Sequence, residues 1–261
     1  MNKRLQEIID YEQHPLEAKE YRSTCKEQLD ANGVLILNGF LLPSVVEALV
    51  KEAHAHEHLA YYCENSHNIY LKPHDKSFPE KHPRNQTFSS SKGCITDDQV
   101  PNNSPLRVLY DAKGFRDFLC AVLAEECLYN YDDNLSSINI HYAHEGQELG
   151  WHFDNSSFAI TLLIQQPKAG GSFEYIRDFR NSDYNEMNYE GVKALLNGEY
   201  TPSVLSFNPG SLVLFRGRNS IHRVTLTEGD RVRILSVLAY NTKPGVQLSE
   251  SARMTFYGKL N

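Results

Sequence analysis

No stretch of the 261-residue chain stays apolar for the length a bilayer requires, and no cluster of Lys and Arg forms a track for a phosphate backbone. Acidic residues outnumber basic ones, 33 to 26, for a net charge of -7, so neither a membrane nor nucleic acid is expected as a partner. The N-terminus, Met1-Asn2-Lys3-Arg4, runs straight into mixed charge without the apolar core of a signal peptide. Cys-x-x-Cys pairs are missing as well, which removes the usual clasp for structural zinc. The five cysteines, Cys25, Cys63, Cys94, Cys120 and Cys127, are odd in number and read as reduced thiols. These absences point to a cytoplasmic enzyme or binding protein that handles a small molecule. They leave the oligomeric state open, a homodimer included.

Length and composition fit one domain spanning 1–261, and no internal repeat or low-complexity tract divides it. The first part, 1–134, has apolar residues spaced at three and four positions and reads as helical with one early strand. Ser44-Val45-Val46-Glu47 has the form of a capping box opening a helix with Val46, Leu49, Val50 and Ala53 on one face. A second helix follows Gly114, with Phe115, Phe118, Leu119, Val122 and Leu123 on one stripe. From 135 to 261 the pattern changes to short β-rich runs separated by Gly, Pro, Asn and Asp, the signature of an antiparallel sandwich or barrel. Strands are predicted over 137–143, 158–165, 172–176, 203–207, 211–215, 222–226 and 231–240. A polar insertion at about 177–200 is the candidate lid.

His152-Phe153-Asp154 places an imidazole and a carboxylate two residues apart, so in extended chain both point to one side. His222, from a distant strand, completes the two-histidine, one-carboxylate set that holds ferrous iron on one face and leaves positions free for cosubstrate and O2. The tripeptide alone is weak, since about half a match is expected by chance in a chain of this composition. His222 adds weight because it follows Asn208-Pro209-Gly210, a tight turn into the apolar run Ser211 to Phe215. Nine residues beyond His222, Arg231 offers a permanently charged, planar fork for a carboxylate. Arg233 shares its strand face and is the fallback. Thr161, with Ala159 and Leu163 on its face, and Asn139 or Tyr142 on the first barrel strand are candidates to hydrogen-bond the cosubstrate. His54-Ala55-His56-Glu57-His58 puts two imidazoles one helical turn apart, but lacks a third ligand and reads as the polar face of its helix. His141 and His144, flanking the first barrel strand, read as core or rim polar contacts and not as ligands. Tyr61, Tyr62, Tyr70 and Phe78 make an aromatic-rich segment that either folds over a pocket or fills core.

Four stretches, Trp151 to Asp154, Gly170-Gly171-Ser172-Phe173-Glu174-Tyr175, Pro209 to Phe215 and His222-Arg223-Val224-Thr225, together resemble the 2-oxoglutarate/Fe(II) dioxygenase superfamily. Within it the chain is similar to the branch of free-lysine halogenases and their hydroxylase relatives. His82-Pro83-Arg84 and Tyr257-Gly258-Lys259 extend the likeness more loosely toward both ends. The resemblance implies an α+β, mainly β fold: a double-stranded β-helix (jelly-roll, cupin-like) core with the N-terminal helical region packed on it. It implies Fe(II) at His152, Asp154 and His222, with 2-oxoglutarate as cosubstrate and succinate and CO2 as products. Halogenases of that branch have Gly in place of the carboxylate ligand, so Asp154 implies hydroxylation of an aliphatic C–H. The expected substrate is a free, lysine-like amino acid or a derivative. Arg84 is implied at the substrate carboxylate. Asn155 stands where a charged residue for the lysine amine is expected, a departure that weighs against lysine itself. The alternatives are the same chemistry on a protein side chain or another metabolite, and a non-catalytic cupin-like metal-binding protein.

Overall fold

The computed structural model describes residues 3–261. Helices α1 (Lys3–Gln6), α2 (Lys19–Asn32), α3 (Pro43–His56), α4 (Pro105–Asp111) and α5 (Lys113–Leu123) come early, followed much later by α6 (Tyr189–Leu196) and α7 (Glu250–Tyr257). The strands are β1 (Val34–Leu37), β2 (Tyr61–Asn68), β3 (Thr87–Ile95), β4 (Ile138–Ala143), β5 (Leu149–His152), β6 (Ala159–Gln165), β7 (Ala169–Gly170), β8 (Phe173–Ile176), β9 (Ser203–Leu205), β10 (Leu212–Phe215), β11 (Ile221–Val224), β12 (Thr227–Glu228) and β13 (Arg233–Leu238).

The main sheet runs β1-β10-β6-β13-β4-β3-β5-β11-β8-β9, with β2 paired to β3, while β12 and β7 form a separate ribbon. Every pairing is antiparallel, and the sheet curls into the expected jelly-roll core. Period-two alternation decides what each strand does. Ile138, Ile140 and Tyr142 of β4, with Ile160 and Leu162 of β6, are buried against Phe115, Phe118 and Leu119 of α5 and its neighbours. Their alternates, His141 and Thr161, turn to the concave side and line a cavity. Burial of each such apolar side chain is worth about 1.5–3 kcal/mol, so the helical layer fixes which face of each strand is inside.

The α5 stripe is buried as the spacing predicts, and the helix stops at Ala124 in the left-handed region. The capping box does not form. Leu42 is the residue before α3, no side chain caps it, and Pro43 opens the helix, turning Val45, Leu49 and Ala53 inward. Pro supplies the start that Ser44 was expected to give. A larger correction concerns 1–134, which also contains β2 and β3. These pair from Tyr61↔Cys94 to Asn68↔Thr87 and belong to the main sheet. All five cysteines are unpaired. No helix among the described residues is long and apolar enough to cross a membrane.

The insertion at 177–200 is not a loose flap. Phe179, Val192 and Leu195 form a second apolar cluster with Ile69, Tyr70, Trp151, Phe153 and Ile221, on the outer side of β5 and β11. It lines none of the central cavity, which is instead flanked by β2 through Cys63, Asn65 and His67, by Leu71, and by Phe256 of α7.

Candidate metal centre

β5 ends on His152 and β11 carries His222, and the register sets the two residues directly opposite each other. Their rings lie 4.1 Å apart, centroid to centroid. Asp154 follows two residues past the end of β5. Its Oδ1 is 3.6 Å from His152 Nε2 and 3.5 Å from His222 Nε2. The three donor atoms lie within 4.8 Å of one another.

Backbone carbonyls fix the imidazoles in the orientation a metal needs. His152 Nδ1 donates to Gly150 O at 2.8 Å and His222 Nδ1 donates to Ser220 O at 3.0 Å, so both Nε2 lone pairs face Asp154. Burial, and then the neighbouring His222, pushes His152 down to about 4, leaving it neutral and able to ligate near pH 7. Burial on its own would raise the Asp154 carboxyl, but the facing His222 and His152 outweigh it and hold the group below the usual carboxylate range. Two imidazoles and one carboxylate, converging and supported from behind, fit a ferrous ion with its remaining positions open.

The Asp154 loop is held from several sides. Its N–H donates to Gly217 O at 3.1 Å, and its own carbonyl accepts from Arg180 Nη2 at 3.3 Å. The Arg180 guanidinium lies 4.2 Å from the centre of the Phe153 ring. A Cβ at Gly217 would come within 1.8 Å of Asp154 Oδ2, so only glycine leaves room for the carboxylate.

The three donors open onto a cavity of about 370 Å³. Apart from the metal ligands its walls are mostly apolar, with two cations, Lys92 and Arg233, and the neutral His141. Arg233 is 8% exposed and makes no hydrogen bond or ion pair among the described residues, and burial lowers its guanidinium to about 10. A buried cation without a counter-charge is costly unless a bound anion supplies one.

The halogenase D family model matches residues 17–255. The chain belongs to the halogenase D family. The solved structures it resembles share its fold. An oxidoreductase of the 2OG-Fe(II) oxygenase family from Burkholderia pseudomallei has a TM-score of 0.53 at 13% identity, covering 88% of this chain and 94% of that one. A prolyl-4-hydroxylase from Pseudomonas putida has a TM-score of 0.51 at 13% identity, covering 83% and 96%. The non-heme alpha ketoglutarate dependent carbocyclase SnoK from nogalamycin biosynthesis has a TM-score of 0.57 at 12% identity, covering 90% of each chain. No curated protein sequence matches the chain significantly.

The residues singled out in the sequence divide clearly. His152, Asp154, His222, Thr161 and Arg233 all face the cavity. Arg231 does not. It precedes β13, is exposed, and donates to Pro167 O at 2.9 Å. Of the two arginines, Arg233 is the one that faces the cavity, because two more residues are needed before the strand enters the barrel. Asn139 is spoken for: its amide donates to Leu135 O and Ile138 O, and its Oδ1 accepts from Tyr257 OH. Tyr142 points to the helical side and donates to Ala53 O. Arg84 is buried but lies outside the cavity, with Nη2 on Pro73 O and Nη1 unpartnered. Asn155 is exposed. His54 meets Glu57 and Gln165, and His144 meets Glu57 and Tyr62, so both are surface contacts. Of the aromatic segment, Tyr70 is core, tilted against Phe153 and edge-on to Tyr189, whereas Tyr61 and Tyr62 are exposed on β2.

Sequence reasoning missed Lys92, Arg180 and Phe256. Lys92 hides in Thr87-Phe-Ser-Ser-Ser-Lys-Gly-Cys-Ile95, a strand too poor in apolar residues to announce itself. Arg180 sits within the insertion and acts on Asp154 through the fold, which no local pattern encodes.

Proposed function

We propose that the protein is an Fe(II)- and 2-oxoglutarate-dependent hydroxylase of an aliphatic C–H bond in a small substrate, releasing succinate and CO2. The observation that carries this reading is the pairing of the His152, Asp154 and His222 donor set with the unpaired, buried Arg233 in one cavity. Iron bound by that set supplies dioxygen activation, with 2-oxoglutarate as the two-electron donor. The chain's own contributions are geometric. Arg233 takes the far carboxylate of the cosubstrate through its fork, and Thr161 on the adjoining strand offers a hydroxyl on the same wall. The apolar walls keep water from the reacting carbon and hold it near the metal.

Asp154 supports hydroxylation over halogenation, since the carboxylate fills the position that the resembled halogenases leave to a halide. A mostly apolar cavity of about 370 Å³ supports a free small molecule, an amino acid or comparable acid, over a protein side chain or a non-catalytic barrel. The absence of any cysteine pairing supports a reducing, cytoplasmic setting.

The test is incubation of purified protein with Fe(II), 2-oxoglutarate and a panel of free amino acids and related acids. Succinate release and a product heavier by one oxygen atom are expected. Turnover no higher than that of Asp154→Ala across the panel counts against the enzyme. Incorporation of chloride in place of oxygen counts against hydroxylation.

A further inference from the structure

Arg233 accounts for one anion, yet the cavity contains a second cation with no counter-charge. Lys92 lies on β3, and its ammonium has one polar contact among the described residues. That contact is His141, whose Nδ1 and Nε2 are 3.3 Å and 3.4 Å away. Burial, and then the two cations Lys92 and Arg233, holds His141 well below its usual value, so it is neutral and accepts from Lys92. The Phe256 ring, 5.8 Å from the ammonium, closes the far side. Desolvation lowers the pKa of Lys92, as expected of an ammonium taken from water without an ion-pair partner.

The lining contains a single carboxylate among the described residues, and that one, Asp154, belongs to the metal. With a ferrous ion and the dianionic cosubstrate in place, Asp154, Arg233 and Lys92 leave the cavity one positive charge in excess. Lys92 and Arg233 stand on β3 and β13, with β4 between them. Two strand spacings separate the strands by about 10 Å at the backbone, room for two separate anions. Lys92 shares the β2–β3 wall with the polar Asn65, His67 and Ser90, and the cavity adds apolar surface from Leu71, Leu149, Val224, Leu235, Val237 and Phe256.

We propose that Lys92 is the seat of the substrate's own carboxylate, so that the substrate is an acid with a single carboxylate and an apolar body and not one ending in a side-chain ammonium group, as lysine does. The proposal rests on the oxygenase reading above and refines its substrate class. A lysine-like ligand would bring its side-chain ammonium into a cavity that offers no free carboxylate and already holds two cations, a repulsive and desolvated arrangement. Arg84, outside the cavity, is not needed for the carboxylate.

The experiment is calorimetric binding to the protein loaded with Mn(II) and 2-oxoglutarate, which does not depend on turnover. The probes are leucine, phenylalanine, hexanoate and 3-phenylpropionate, each paired with its primary amide, together with lysine and ornithine. At least one apolar acid is expected to bind, with its amide weaker by about 30-fold or more, the effect of leaving a buried charge unpaired. Lysine and ornithine should bind more weakly than the apolar acid. Lys92→Met should remove acid binding while leaving 2-oxoglutarate affinity within about twofold, and Lys92→Arg should restore acid binding. Equal affinity for acid and amide, tighter binding of lysine or ornithine, no binding of any acid, or a matching loss of 2-oxoglutarate affinity in Lys92→Met would overturn the proposal. Failure of the wild-type protein to bind 2-oxoglutarate at all would instead sink the oxygenase reading beneath it.

Discussion

Asp154 is held in place by atoms that are not ligands, and this makes Gly217 the most sensitive position near the metal. A Cβ there overlaps the carboxylate at 1.8 Å, so Gly217→Ala must displace Asp154 or its loop. We expect iron affinity to fall by about 10-fold to 100-fold, as for other supporting groups around metal ligands, with the melting temperature little changed. Metal content after dialysis against graded chelator reads this directly, and a variant that retains iron like the wild type refutes it. A second pair of substitutions separates the two arginines. Arg233→Met should raise the dissociation constant for 2-oxoglutarate by about 30-fold or more, whereas the exposed Arg231→Ala should leave it within about twofold. The metal ligands were legible because two residues on one face and a distant histidine form a spacing that chemistry requires. The choice between Arg231 and Arg233 was not, since both share a strand face and the point where the strand enters the barrel depends on its neighbours.

Elements behave differently from the pattern around them. The insertion at 177–200 reads as a lid because it is long and polar, but Phe179, Val192 and Leu195 tie it to Trp151 and Phe153 behind the metal strands. Its loss of packing should therefore be felt as stability. Leu195→Ala is expected to destabilise the fold by about 2–4 kcal/mol in urea titration, with part of the effect passed to iron retention through Arg180 and Asp154. A change under about 0.5 kcal/mol would mean that the insertion is only loosely attached. The strands β2 and β3 escaped prediction for a related reason. Their cavity-facing residues are Cys63, Asn65, His67, Ser90 and Lys92, polar groups that face a binding space, so the apolar alternation that identifies a strand is absent. The strands that back onto the helical layer, β4, β6, β10 and β13, kept runs or alternations of apolar residues and were legible.

For the molecule as a whole, the number of buried neutral imidazoles sets the response to acid. His14 donates from Nε2 to Asn38 O at 3.0 Å and accepts from Tyr21 OH at Nδ1 at 2.7 Å, a neutral arrangement. Burial lowers His14, His67 and His141 below the ordinary histidine value. The unfolded chain takes up protons near pH 6.5 that the folded chain refuses, so stability is intact above that pH and is lost as the pH falls through it, by at most about 1.4 kcal/mol per pH unit per histidine. The melting temperature of metal-free protein should fall steadily from pH 7.5 to 5.5, and His14→Gln should flatten the slope. A flat or rising profile over that window contradicts this. Glu52 and Asp97, whose carboxyls burial raises, act in the opposite sense. At this scale the sequence revealed the two-part build of helices on a barrel. It did not reveal that the barrel draws three of its strands, β1, β2 and β3, from the helical half.

That borrowing separates two tasks. Lys92 and Ser90 enter the cavity from β3, whereas the imidazoles that grip the metal come from β5 and β11. On the proposal above, residue 92 can thus be exchanged to retool which molecules are welcomed while β5 and β11 keep the imidazoles in place, whereas Ser90, whose hydroxyl accepts from Gly150 N–H at 2.9 Å, is tied to the metal strand.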